Sequence, residues 1–265
     1  GDPMNTKHLM ALVLLAGAAL PAASQDAIRC TLLVDAATGK TLVREGQCEQ
    51  RVTPASTFKV ALSLMGYDSG ILLDEHTPLL PFRKGYVDWL PEWRTATDPA
   101  AWMKQSVVWY SQQVSTRLGA KRFQSYLDRF DYGNRDASGN PGKNDGLTQA
   151  WLGSSLKISP DEQAVFLRKL VNRTLPVSGK AVDMTASLMR YPRLRNGWEL
   201  YAKTGTGSEP GALPHGWLVG WTGDGKRTVV FARLAQDAQR EPGGRAGLRV
   251  RDAFIRELPT LLERI

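Results

Sequence analysis

Apolar positions along this chain switch between strand-like runs at the two ends and helical spacing in the middle. Near the start, Thr31-Leu32-Leu33-Val34 and Thr41-Leu42-Val43 flank the turn-forming Ala37-Thr38-Gly39-Lys40. Two short β-branched and apolar runs around a glycine turn predict a hairpin. Thr53-Pro54-Ala55-Ser56 then reads as a loop leading into a helix. Its apolar residues Phe58, Val60, Ala61, Leu62, Leu64 and Met65 cover most of the helix circumference, which predicts burial on every side. Residues 67–97 are rich in proline, glycine and charge and read as a long irregular crossing. Asp98-Pro99 supplies an N-cap and first-turn pair for a helix through Met103. Helical spacing continues from about 107 to 129. A polar, glycine-rich stretch follows over 132–147. Ser159-Pro160-Asp161-Glu162 is a capping box that opens a helix to about Asn172, and another covers roughly 178–190. Strand patterns return at about 198–204, 216–222 and 227–234, before a last amphipathic helix over 246–257.

Late strands with short connections predict an antiparallel sheet, which the N-terminal hairpin should join. The expected fold class is α/β of the α+β kind. One domain over 25–265 has its sheet built from about 25–55 and 195–265 and a mainly helical region over about 56–194. No internal repeat or low-complexity segment interrupts it.

Composition adds bounds. The chain has 265 residues and a formal net charge of +8. Its lysines and arginines are scattered, with no basic run and no aromatic-basic platform, so nucleic acid is not an expected partner. The excess suits an enzyme of small anions, or serves only solubility. Gly1-Asp2-Pro3 before Met4 reads as a cloning remnant. Met4 to Ser24 reads as a signal peptide: a basic start at Lys7 and His8, an apolar run from Leu9 to Leu20, and small residues Ala22-Ala23-Ser24. That run is well short of the roughly 20 residues of a spanning helix. The mature protein is expected to begin near Gln25, without a membrane anchor, periplasmic or secreted. Export would put the two cysteines, Cys30 and Cys48, in an oxidising compartment. Folding the hairpin at Gly39 brings them roughly opposite, which suits a disulfide. Two free thiols are the alternative, and the spacing fits no metal site.

Four short motifs carry candidate chemistry. In Ser56-Thr57-Phe58-Lys59, positions i and i+3 share one helix face, so hydroxyl and amine can meet. A serine hydroxyl needs a nearby base, and a lysine serves only if burial keeps it neutral. A second match, Ser154-Ser155-Leu156-Lys157, lies before the capping box and has no buried helix behind it. Lys203-Thr204-Gly205-Thr206-Gly207 places a cation and hydroxyls at a strand end, where they can hold a carboxylate while glycine lets a flat ligand approach. Ser106-Val107-Val108 sits near a helix junction, where the serine can relay a proton. Tyr132-Gly133-Asn134 reads in isolation as a turn.

In this order the four motifs resemble the set of the class D, oxacillinase-type, serine β-lactamases, and the resemblance covers essentially all of the mature chain. Trp151 through Gln163 and Gly216 through Trp221 support it. Related Ser-x-x-Lys and Lys-Thr-Gly motifs occur in class A enzymes and penicillin-binding proteins. The resemblance implies a transpeptidase-like fold and hydrolysis of penicillin-type β-lactams through an acyl-enzyme on Ser56, hence antibiotic resistance. It implies that Lys59 takes up carbon dioxide as a carbamate general base, with no other cofactor and no metal. Trp151 would hydrogen-bond that carbamate, while Phe58, Val107 and Trp151 keep it dry. Ser106 and Lys203 would relay a proton to the departing nitrogen. Backbone N–H groups of Ser56 and Thr206 would form the oxyanion hole beside Gly205. Thr204 and Arg249 would hold the substrate carboxylate, with Arg245 and Arg251 close by as competing matches. The expected partners are small β-lactams only, and the protein acts as a monomer or a dimer.

One departure sharpens this. Ser106-Val107-Val108 lacks the asparagine that class A enzymes and most penicillin-binding proteins carry at the third position, and valine there favours a dry site. The competing readings are an antibiotic-sensing domain that is acylated without efficient turnover, and a peptidoglycan-crosslinking penicillin-binding protein.

Overall fold

The hairpin and the late strands enter one sheet because each carries alternate residues that need cover on both sides. The computed structural model describes residues 17–18 and 27–265. The remnant and signal peptide expected over 1–24, and the mature start near Gln25, lie outside the described residues apart from Gly17 and Ala18. Strands β1 (Arg29–Asp35), β2 (Thr41–Gly46), β3 (Arg190–Tyr191), β4 (Glu199–Gly207), β5 (His215–Gly223) and β6 (Thr228–Gln236) form a sheet of order β2-β1-β6-β5-β4-β3. Every pairing is antiparallel.

Side chains alternate across a strand, so the inner strands feed two cores. Leu32, Trp217, Val219, Trp221, Val230 and Ala232 face the helical body. Leu33, Leu200, Ala202, Leu218 and Phe231 face the opposite side. There they meet α8 (Ala246–Glu263) through Val250, Phe254, Leu258 and Leu261. The helical body holds α1 (Lys59–Asp68), α2 (Pro99–Gln105), α3 (Val108–Leu118), α4 (Ala120–Phe130), α5 (Gly146–Gln149), α6 (Pro160–Val171) and α7 (Gly179–Leu188). The capping box at Ser159 is present, with the Ser159 side chain accepting from the Glu162 N–H and Glu162 reaching back. Asp98 caps α2 in the predicted way.

Three boundaries differ from the pattern. The helical stretch over 107–129 is two helices, divided at Gly119, whose φ of 79° no helix tolerates. The polar stretch after 132 contains the single turn α5. The last helix runs past 257 to Glu263 through Pro259, because Leu258, Leu261 and Leu262 are buried beneath the sheet and that packing outweighs the lost backbone bond.

Cys30 and Cys48 are joined in a disulfide, and both are fully buried. Their sequence separation of 18 residues closes a loop of the size for which crosslinking contributes about 3 kcal/mol through the unfolded chain. Replacing both with alanine should lower the unfolding free energy by about that amount. Urea denaturation of the two proteins checks this, and a change under 1 kcal/mol would count against it.

Candidate active site

The chemistry begins at a 3-10 turn, Ala55–Phe58, that runs straight into α1. Every residue of α1 from Lys59 to Tyr67 is buried, so the lysine that opens it has nowhere to reach water. Lys59 is 1% exposed, and its Nζ lies 3.0 Å from Ser56 Oγ. The i, i+3 spacing thus delivers the expected contact. Burial pushes the Lys59 amine well below its ordinary value of 10.5, and the neighbouring Lys203 cation pushes it in the same direction.

Ser106 ends α2 in the left-handed region, at φ 57° and ψ 47°. A glycine would adopt this conformation more readily, so strain is stored here. The turn aims Ser106 Oγ at Lys203 Nζ, 3.0 Å away. Val107 follows, fully buried. Lys203 lies on β4 with its side chain toward the helical body, two residues from Tyr201 on the same face. It is 3% exposed. Burial first, and then the Arg251 charge, bring its amine down to about 7. Its Nζ also donates to Thr204 O at 3.0 Å.

The end of β4 supplies donors. Ala202 N–H donates to Met189 O on the β3 edge. Strand N–H groups alternate between edges, so the Thr204 and Thr206 N–H groups face that same edge. Pairing with β3 covers Leu200 and Tyr201 and ends at the Ala202 N–H bond, which leaves these donors beyond it. The turn bearing Ser56 packs against Gly205, where a Cβ would come within 3.0 Å of Pro54 O and 3.2 Å of Thr57 N. The Ser56 N–H lies in a first helical turn and so lacks an intrahelical acceptor. The Thr206 hydroxyl is committed elsewhere, accepting the Gly247 N–H at 2.8 Å.

Trp151 stacks on Phe58 with ring centroids 5.2 Å apart. Its carbonyl accepts from the Ala55 N–H at 3.1 Å. Among the described residues, its indole N–H has no acceptor. The Tyr-Gly-Asn motif braces this region. Asn134 Nδ2 donates to Ser155 O at 2.8 Å, and its side-chain oxygen accepts the Lys157 N–H at 3.0 Å. Gly133 has φ 53°, and any Cβ there would meet Lys157 O at 2.1 Å. The phenol of Tyr132 is buried against Phe58 and Phe166 and, among the described residues, is the one buried side-chain polar atom without a partner.

A cavity of about 970 Å³ opens over Ser56, Ser106, Lys203, Thr204, Gly205 and Thr206. Trp89, Trp93 and Met103 form one wall, and Leu248, Arg245 and Arg251 another. Neither Lys59 nor Lys203 has a carboxylate partner among the described residues. The Lys203 amine with the Arg245 and Arg251 guanidinium groups in the same lining makes this pocket a receptor for anions.

Arg249 is not part of it. Its guanidinium pairs with Asp237 at 2.6 Å and donates to Gly244 O, and none of these three residues lines the cavity. Arg251, one of the two competing matches, lines the pocket and is the cation that Lys203 senses. The second Ser-x-x-Lys is dispersed: Ser154 Oγ donates to Gln149 O at 2.9 Å, and Lys157 pairs with Glu209. The walls at Trp89 and Trp93 escaped the sequence reading because irregular stretches carry no period. Two tryptophans within five residues of a polar crossing were the available signal.

Residues 29–260 match the penicillin binding protein transpeptidase domain family. The chain is 41% identical over 270 residues to β-lactamase OXA-9 of Klebsiella pneumoniae, covering 96% of this chain and 97% of that one. It is 42% identical over 195 residues to β-lactamase OXA-1 of Escherichia coli, covering 72% and 70%. The crystal structure of OXA-427, a class D β-lactamase, matches it with a TM-score of 0.84 and 48% identity, over 89% of this chain and 99% of that one.

Proposed function

This chain belongs to the class D β-lactamases, within the penicillin-binding transpeptidase fold, and on that premise we propose that it hydrolyses penicillin-type β-lactams through an acyl-enzyme on Ser56. Such hydrolysis confers antibiotic resistance. The observation that carries the mechanism is the buried Lys59 amine, its proton affinity lowered by that burial, 3.0 Å from the Ser56 hydroxyl.

Ser56 Oγ attacks the lactam carbonyl carbon while its proton passes to the base at Lys59. The N–H groups of Ser56 and Thr206 hold the oxyanion. As the carbon–nitrogen bond breaks, Ser106 Oγ gives its proton to the nitrogen and is resupplied by the Lys203 ammonium. The base at Lys59 then passes its proton through solvent to the Lys203 amine, water attacks the ester and gives its proton to the freed base, and the base returns that proton to Ser56 Oγ as the opened acid leaves. Thr204 and Arg251, in place of Arg249, hold the substrate carboxylate.

The pocket suits a carbamate on Lys59: burial favours the uncharged amine, and among the described residues no carboxylate pairs with it and the Trp151 indole N–H has no acceptor. Carbon dioxide bound there would supply an anionic oxygen base stronger in effect than the amine alone. Every catalytic group named comes from one chain, so a monomer and a dimer would serve equally. Residues 4–24 would act as an export signal, giving a periplasmic or secreted enzyme. Among the described residues no helix is long and apolar enough to cross a membrane.

Nitrocefin is expected to be hydrolysed with steady multiple turnover. One-to-one labelling that then stops would instead indicate a sensor domain. The carbamate makes a separate prediction. An amine is protonated below its pKa, and burial moves that point for Lys59 downward, which favours its uncharged form. Acidification through that lowered value should therefore remove activity, as should carbon-dioxide depletion, and added bicarbonate should restore it in the depleted buffer. Rates indifferent to bicarbonate would remove the carbamate from the mechanism.

A further inference from the structure

The two halves of the oxyanion hole come from different elements, the turn bearing Ser56 and the end of β4, and something must fix their spacing. Thr53, three residues before Ser56, is fully buried, and each of its polar groups is engaged. Its Oγ1 donates to Trp151 O at 2.7 Å and accepts the Gly153 N–H at 3.0 Å. Its carbonyl accepts the Trp217 indole N–H at 3.0 Å. Its own N–H donates to the Glu209 carboxylate at 2.6 Å. Glu209 stands three residues beyond Thr206, in the loop joining β4 to β5, and its other oxygen pairs with the Lys157 ammonium. Gly207 lies between, so close to Thr53 that a Cβ would meet Thr53 Cγ2 at 2.7 Å.

One carboxylate therefore spans from the strand that carries Thr206 to the segment that carries Ser56. An exposed ion pair alone contributes little. Here, however, the carboxylate is bonded to a buried backbone donor, and a charged acceptor makes the stronger kind of hydrogen bond. Lys157, the cation of the second Ser-x-x-Lys, orients that carboxylate from the segment that leaves Trp151. We propose that Glu209, braced by Lys157, is a positioning residue that sets the distance between the Ser56 and Thr206 N–H groups, so that acylation depends on it while substrate binding does not. This deepens the hydrolytic reading and rests on it.

The test is stopped-flow acylation of the full chain by nitrocefin, read as the acylation rate constant and the non-covalent dissociation constant separately. Acylation can be read whether or not the ester later turns over, so failure of the hydrolytic reading would be visible apart from this one. Glu209→Ala should slow acylation by roughly tenfold to a hundredfold, as small misplacements do, with the dissociation constant within about twofold. Glu209→Gln keeps an acceptor for the Thr53 N–H and should recover most of the rate. The exchange Lys157→Glu with Glu209→Lys restores the ion pair but sets an ammonium against the Thr53 N–H, so its acylation should stay slow even where its melting temperature recovers. Lys157→Met leaves the Thr53 bond in place and should slow acylation only a few-fold, which keeps the proposal testable if Glu209→Ala fails to fold. Wild-type acylation in Glu209→Ala, or full recovery in the exchanged pair, would overturn it.

Discussion

Lys59→Met is expected to stop turnover and, in the same molecule, to raise thermal stability. The catalytic half follows from geometry. With the base removed, neither the Ser56 proton nor that of the deacylating water has an acceptor, and base catalysis of this kind is worth roughly 10²–10⁴-fold at each step. Turnover of nitrocefin should fall by about 10³-fold or more, and any Ser56 ester that forms should persist long enough to weigh by mass spectrometry. Substantial residual deacylation would mean another base exists.

The stability half follows from linkage. The unfolded amine holds its proton up to its ordinary value, while the buried amine gives it up at a much lower one. Between those two values the unfolded state binds more protons, so folding is opposed and stability rises with pH. Each unit of depression is worth about 1.4 kcal/mol. Methionine has similar length, bends to fit and carries no charge, so it should relieve this opposition at neutral pH. Melting curves at pH 7 and 9, without bicarbonate, should show the variant more stable and the gap closing at the higher pH. A variant less stable than the parent at pH 7 would mean the burial is not so unfavourable as the geometry implies.

The second large effect is expected at Arg251. Arg251→Ala should lower kcat/KM for benzylpenicillin about 10–100-fold, the equivalent of a charge-assisted hydrogen bond to the substrate carboxylate. Arg249→Ala should lower it by less than about threefold, since that side chain pairs with Asp237 outside the cavity. Arg251→Ala should also move the alkaline limb of the pH profile. Its charge helps hold Lys203 near 7, so removing it lets Lys203 keep its proton to higher pH. Parallel profiles of the two variants check both statements. Loss in Arg249→Ala with Arg251→Ala unaffected would reverse the assignment.

That assignment shows where sequence stops being enough. Ser56 and Lys59 were legible because three residues on a helix fix two side chains on one face, whatever lies around them. The hairpin, the sheet and the Ser159 capping box were legible for the same reason, as each is set by residues near in sequence. Arg249 and Arg251 are not separable in this way. Each lies one residue from Val250, which packs beneath the sheet, so they project to opposite sides of it. Which side meets the cavity is decided by how α8 crosses β4 and β5, a tertiary fact. Glu209 is similarly hidden, because its partners Thr53 and Lys157 stand 156 and 52 residues away. Ser106 adopts a backbone conformation that its residue type does not announce.

The walls of the cavity have a different origin from its floor. Ser56, Lys59 and Lys203 are rooted in a 3-10 turn, the buried helix that continues it and the strand packed against that turn, where a substitution disturbs the core. Trp89 and Arg245 are exposed and belong to a surface crossing and a helix start, where most changes are tolerated. Under selection by successive generations of antibiotics, variation can therefore accumulate around the mouth while the reactive groups stay fixed. Resistance in such a protein should broaden by reshaping its vestibule, and inhibitors that bond only to the floor should be the slowest to lose their hold.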